Sequence, residues 1–286
     1  MTAYTIGFLS PGVGFIVLFV VIPILLTAWV SFHSWNMLTP FAKMPYVGVE
    51  NYRQILSDPV FLAALRNTFL YSLISVAIVL PLSLAIGIFL FQTKAWASRL
   101  VRTLLFLPYV IPNVAVAIVW GYLYSPNYGP LNQILGFFHI PAQPWLGSVH
   151  EALISLVLLS LWQTVGYYTV IVLAGLSEIP KDYYEAASID GASRWQTTRH
   201  ITPPLLKRSI TFIVIILTIN SLQVFAPVYI LTQGGPANSP NVVVYDMYRT
   251  AFNFLNMGQA SAMAFILFLA ILAMAIIELR LLGRSA

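Results

Sequence analysis

NTFLYSLISVAIVLPLSLAIGIFLFQT, residues 67–93, lies between Arg66 and Lys94 and holds no charged side chain in 27 positions. A helix needs about 20 mostly apolar residues to cross the hydrocarbon core of a bilayer, so this run is long enough. It is continuous rather than built from the short alternating segments of a membrane barrel. Lipid offers no partner to an open backbone, which leaves a helix as the way to cross. The same pattern continues on both sides. No charge precedes Lys43. Uncharged runs of 48, 26, 37 and 28 residues separate Arg102 from Glu151, Glu151 from Glu178, Arg208 from Asp246 and Arg249 from Glu278.

These runs predict six spans, at about 6–32, 68–91, 104–124, 152–176, 210–231 and 259–279. The fold expected is an all-α polytopic membrane protein, with residues 1–286 forming a single transmembrane domain. Composition agrees. Charged residues are 8% of the chain and hydrophobic ones 59%, against about 25% charged in a soluble domain. That excludes a water-soluble globule and, more firmly, a disordered chain. The absence of cysteine excludes disulfides and thiolate chemistry. His33, His139, His150 and His200 are scattered, so no metal site is expected. The net charge of +5 reads as lysine and arginine holding loops on the cytoplasmic side rather than as a nucleic-acid footprint. One set of loops carries Lys94, Arg99, Arg102, Lys181, Arg194, Arg199, Lys207, Arg208, Arg280 and Arg284; the other carries Lys43, Arg53, Arg66 and Arg249. The richer set belongs inside, and six spans then put both termini in the cytoplasm.

The longest inner loop, 177–208, is the most polar part of the chain and carries nine of its 23 charges. It reads as two short helices. The first runs over about 181–189, with Ser177 as N-cap and Glu178 and Asp182 at the positive end of the dipole. Asp190-Gly191 is a turn and stop signal. The second covers about 192–200, ended by Thr202-Pro203-Pro204. Small residues (Ala186, Ala187, Ala192) allow close approach of another surface, and Tyr183, Tyr184 and Trp195 are anchors of the interface type. Mixed charge favours a docked protein over anionic lipid, which calls for a polybasic run. An ordinary interfacial loop without a partner is the alternative. Glu185 either bonds to a partner or pairs within the loop, for example with Arg194.

The pattern Glu185-Ala186-Ala187-x-x-Asp190-Gly191-Ala192, followed by Ile201-x-x-Pro204, resembles the EAA loop of ABC importer permeases. The resemblance covers nearly the whole chain. Asn51-Tyr52, Asn67-Thr68, Gly129-Pro130-Leu131-Asn132, Pro144-Trp145-Leu146-Gly147 and Leu231-Thr232-x-Gly234-Gly235-Pro236 are similar to the sugar-importer branch, the relatives of maltose and glycerol-3-phosphate permeases. Pro203 departs from that pattern where leucine is common, and Ala226 where an acidic residue is common. The resemblance implies a type I importer permease fold in a bacterial or archaeal cytoplasmic membrane. It implies a second homologous permease, two ATP-binding subunits and an extracytoplasmic solute-binding protein that delivers a sugar. It also implies that Tyr184, Glu185, Ala186, Ala187, Asp190, Gly191, Ala192 and Pro204 couple the permease to the ATPase. The chain has no Gly-x-x-x-x-Gly-Lys-Ser/Thr run. No cofactor is expected in it, and ATP and magnesium belong to the partner subunits. A transport subunit and not an enzyme is therefore expected.

The spans hold acidic and basic residues only at their ends. A proton- or ion-coupled carrier buries titratable groups, so the driving force is expected from a partner. A neutral hydroxyl-rich solute calls for amides, hydroxyls and aromatic faces. Asn113, Gln163, Tyr167, Asn220, Gln223, Phe225 and Tyr229 are the candidates for its pathway. Asn220 and Gln223, three apart, are expected on one helix face. The alternative for each is a hydrogen bond between helices that holds the bundle together. A permease for a non-sugar solute, or an ion-coupled secondary transporter, are the competing functions.

Overall fold

The computed structural model describes residues 2–283, without the side chains of residues 2–7 and 194. Arg284, counted above with the inner loops, lies outside the described residues. The chain forms two compact units, residues 1–62 with 243–270, and residues 63–242 with 271–286.

In the first unit, α1 (Thr2–Ile16) runs through a π-helical turn, Val17–Val21, into α2 (Ile22–Val30). Phe8–Val30 makes a continuous apolar helix of membrane-spanning length. Helix α3 (Glu50–Ser57) follows a loop and brings Asn51 inward. Its amide donates to the carbonyls of Ser31 (2.8 Å) and His33 (2.9 Å). That ties the end of α2 to α3 and satisfies carbonyls that a helix end leaves open.

Helix α4 (Pro59–Phe91) starts nine residues before the expected span. Asp58 accepts the Val60 N–H (2.9 Å), and Pro59 fits a first turn, where its missing N–H costs nothing. Pro81 stays inside α4. The third expected span is two helices, α5 (Ala95–Val110) and α6 (Asn113–Leu123), bent by 98°. The cause is local: Ile111 precedes Pro112, and the proline ring pushes it out of the helical region to φ −73°, ψ 134°. Among the described residues, five helices are apolar and long enough to cross a membrane, or six if the bent pair counts as one.

A short helix, α7 (Pro130–Phe137), precedes α8 (Ala152–Glu178). Then come α9 (Lys181–Ile189), α10 (Arg194–Gln196), a π-helical turn at Thr197–Ile201 and α11 (Thr202–Leu205). The fifth expected span is also broken, into α12 (Lys207–Leu222) and α13 (Ala226–Leu231). Gln223 and Phe225 leave helical geometry ahead of Pro227, which lies in the first turn of α13. In the first unit, α14 (Val243–Tyr248) precedes α15 (Met257–Gly283), whose last turns belong to the second.

The core of the second unit gathers Val79, Leu90, Tyr168, Val172, Leu176, Ile213 and Leu217 from α4, α8 and α12. Helix α5 lies against α8 at Gly166, where a Cβ would collide with the carbonyl oxygen of Leu105. Glu278 of α15 turns onto Thr218 of α12, whose hydroxyl donates to it (2.8 Å). Thr218 is eleven residues along α12, about 16 Å from its start.

Candidate functional site

Both helix breaks of the second unit open onto one cavity of about 470 Å³. A break leaves carbonyls without their intrahelical donors, and side chains of α8 meet some of that need. The Gln163 amide donates to Asn113 Oδ1 (2.8 Å) and, at 3.4 Å, to the Ile111 carbonyl at the bend. Gln163 is buried, so it holds the α5–α6 bend in place while facing the cavity. Across from it, Asn220 donates to the Tyr168 hydroxyl (3.3 Å).

The structure brings Asn113, Gln163, Asn220, Gln223 and Phe225 to this one cavity. Gln223 lies beyond the end of α12, so it does not share a helix face with Asn220 as its spacing suggested. The unwound break places it there instead. Tyr167 stands one ring behind the wall, stacked on Tyr109 at 4.3 Å and 12°; Tyr109 is the lining residue. Tyr229 stacks on Phe225 (5.3 Å, 17°) and does not line the cavity.

Sequence reading missed the α4 wall. Tyr71 and Ser75 line the cavity with Ser160 of α8. Tyr71 and Ser160 share a hydrogen bond, and the neighbouring Ser72 bonds to Ser221 (2.7 Å). The buried Ser75 hydroxyl has no partner among the described atoms. The available signal was spacing: Tyr71, Ser72 and Ser75 fall at i, i+1 and i+4, one polar stripe on an apolar helix. Among the described residues no Asp, Glu, Lys, Arg or His lines the cavity. Its chemistry is amide, hydroxyl and aromatic.

The polar loop forms a second site. Helix α9 has the limits its sequence predicts, but its N-cap is Pro180. Ser177 is still inside α8, its hydroxyl bonded back to the Leu173 carbonyl (2.8 Å). At the other end Gly191 takes φ +77°. There the Ala192 N–H reaches the Ala187 carbonyl (2.9 Å) and the Gly191 N–H that of Ser188 (3.2 Å). This is a Schellman cap, which requires a left-handed residue.

The second loop helix begins at Arg194, later than expected. Ser193 and Gln196 form a reciprocal capping box: the Ser193 N–H donates to Gln196 Oε1 (2.7 Å) and the Gln196 N–H to Ser193 Oγ (3.3 Å). Thr202-Pro203-Pro204 opens the helical turn α11 rather than ending a helix, because proline fits a first turn. Within the loop Ala187 is buried, Tyr184 and Ala192 are half-buried, and Glu185, Ala186, Asp190, Gly191 and Pro204 are exposed. The Tyr184 hydroxyl lies 3.5 Å from Thr202 Oγ1, which ties α9 to α11. Glu185 has no ion pair among the described residues, and the Arg194 side chain lies outside them. Ile189 and Trp195 are 87% and 69% exposed, far more than a loop built only to cover the bundle would leave.

Comparison with known proteins adds to this geometry. Residues 77–284 match the family model described as the binding-protein-dependent transport system inner membrane component. A probable ABC transporter permease protein of Bacillus subtilis, YurN, is 34% identical over 96% of this chain and 94% of its own length. The trehalose/maltose transport system permease protein MalF of Thermococcus litoralis is 32% identical over 93% and 88%. The fold also matches a chain of a bacterial alginate ABC transporter, solved in complex with an alginate pentasaccharide-bound periplasmic protein. That match has a TM-score of 0.83 at 21% identity, over 96% of this chain and 92% of that one.

Proposed function

The chain belongs to the family of binding-protein-dependent transport system inner membrane components, a multi-pass membrane permease of ABC transporters and not an enzyme, and from that premise we propose that it carries a sugar or sugar-like solute inward. The cavity between the two helix breaks carries this reading. Its amides, hydroxyls and aromatic rings, with no carboxylate, amine, guanidinium or imidazole among the described lining residues, suit a neutral polyol. Sugar hydroxyls both donate and accept, as do the Asn220 and Gln223 amides, and aromatic faces such as Phe225 cover the apolar sugar face. Ser75 contributes a buried hydroxyl with no partner of its own. The trehalose/maltose relative supports the sugar class. Glu278, a carboxylate that turns onto the middle of α12, bonds to Thr218 and lies outside the cavity, which speaks against ion coupling at the site.

In this reading residues 1–286 form one permease domain with six spans, α5 and α6 together making one. Both termini face the cytoplasm of a bacterial or archaeal cell. A second, homologous permease completes the pathway, an extracytoplasmic binding protein delivers the solute, and two ATPase subunits dock from below. ATP and magnesium are held by those subunits. The coupling surface is α9 with its cap: Tyr184 and Ala187 hold the helix in the loop, while Glu185, Ala186, Asp190 and Gly191 face outward with Ala192 and Pro204 beside them. A helix pair clamped between α8 and α12 is a lever that a partner biases between two positions.

Proteoliposomes holding this chain with its partner permease and ATPases test the function. Uptake of labelled maltose or trehalose is expected only with ATP at the ATPase face and loaded binding protein on the other, regardless of ion gradients. Uptake driven by an ion gradient without ATP would refute it.

A further inference from the structure

Residues 103–150 contain no Asp, Glu, Lys or Arg, yet they include a complete loop between two spans. Water-facing loops turn polar groups outward. This one carries no charge, and its central amide turns inward. Asn132 of α7 is buried and uses its whole amide inward: it donates to the carbonyls of Pro126 (3.1 Å) and Gln143 (2.9 Å). It accepts from the Gln143 N–H (3.0 Å) and the Trp145 indole (2.9 Å). Around that fixed centre the largest outward side chains are apolar. Phe137 is 80% exposed, Phe138 65%, Tyr128 61% and Ile134 56%.

The place of this face is fixed by two further bonds. The Tyr124 hydroxyl donates to the Ser155 carbonyl in the first turn of α8 (2.6 Å). The Trp145 N–H donates to Glu151 (3.0 Å), just before that helix begins. The loop is therefore held level with the end of a membrane span. The patch is also continuous with an exposed stripe of α6, Val114, Ile118 and Tyr122, whose last ring lies 5.8 Å from that of Tyr128.

We propose that α7 is an interfacial helix that rests its Ile134–Phe137–Phe138 face in the extracytoplasmic leaflet of the bilayer. Amphipathic helices at a membrane surface bury an apolar face among acyl chains, and aromatic rings collect at that depth. Exposed Asn127, Gln133 and His139 border the patch, but through the Tyr122–Tyr128 ring pair it runs on into the α6 stripe, so a protein partner that covers the patch alone is the poorer occupant. With no lysine or arginine in residues 103–150, the contact is hydrophobic and independent of lipid charge. The inference rests on reading α5–α6 together as one span and α8 as the next, with this loop on the extracytoplasmic side, and on nothing about the solute.

The chain has no native cysteine, so single Phe137→Cys, Phe138→Cys and Ile134→Cys variants take a bimane label cleanly, with Asn127→Cys as control. The assembled importer is placed in nanodiscs and quenched with nitroxide lipid or aqueous iodide. Loss of emission to the lipid quencher at 134, 137 and 138, little loss to iodide, the reverse at 127, and no change in high salt are expected. Ready quenching by iodide at 137 and 138 would overturn the proposal. So would shielding from both quenchers, the mark of a covering permease, or lipid quenching that vanishes when binding protein is added. Three positions on one face keep the test decisive if one variant fails to assemble. ATP-driven uptake by the same samples reports separately on the transport reading.

Discussion

Replacing Gly191 with alanine isolates backbone conformation from every other variable at the coupling loop. A Cβ there meets nothing within 4 Å, so no packing is disturbed. What changes is the cost of φ +77°. An L-residue with a Cβ pays about 1–2 kcal/mol in the left-handed region, and that shifts a local equilibrium by about 5- to 30-fold. If the ATPase docks only on the capped form, its apparent affinity for the permease falls as the capped fraction falls, by at most that factor. Gly191→Asn is the control, because asparagine visits this region readily. Pull-down of the ATPase subunits, titrated against each permease variant, reads the factor directly. Gly191→Ala should lose affinity, by up to about 30-fold, and Gly191→Asn should stay near the parent. Equal binding by all three, with normal uptake, would show that the cap plays no part in docking.

Asn220→Ala and Gln223→Ala should lower sugar uptake while the ATPase subunits still co-purify; unchanged uptake in both would remove these residues from the pathway. Thr218→Val leaves the Glu278 carboxylate without its donor, at about 1.5–3 kcal/mol, and Glu278→Gln should recover part of the lost thermal stability in the double variant. Gly166→Val drives a branched side chain into the Leu105 carbonyl; overpacking of this kind costs about 1–3 kcal/mol or more, and size-exclusion chromatography in detergent should show a reduced monodisperse fraction. Glu185→Lys reverses charge at an exposed position and should leave the fold intact while uncoupling ATP hydrolysis from uptake, read as ATPase activity no longer stimulated by loaded binding protein.

The apolar helices and the limits of α9 were legible because charge gaps and capping signals are local. The two helix breaks were not. Pro81, Pro108 and Pro112 look alike in sequence, and Pro81 and Pro108 stay inside helices. Pro112 breaks one, and at that bend Gln163, some fifty residues away, supplies the missing donor. That is a tertiary fact with no local trace. The same limit explains Gln223, which reaches the cavity from an unwound segment rather than a helix face. Thr202-Pro203-Pro204 was misread for a different reason: proline is excluded from helix interiors yet suited to first turns, and composition alone does not say which applies. Tyr71 and Ser75 were overlooked because α4 reads as one long lipid-compatible run, in which a polar stripe is easily missed.

The paired breaks also bear on how such a cavity changes its preference over evolutionary time. Where α5 and α12 end, the last carbonyls of each helix lack intrahelical donors, and no substitution, proline included, removes a main-chain carbonyl. Part of the recognition of hydroxyls would then be common to all descendants of this chain, while the side chains sort one solute from another. Side-chain scanning of this cavity would register only the second share. A variant stripped of several lining side chains could therefore keep weak, unselective passage rather than lose passage altogether.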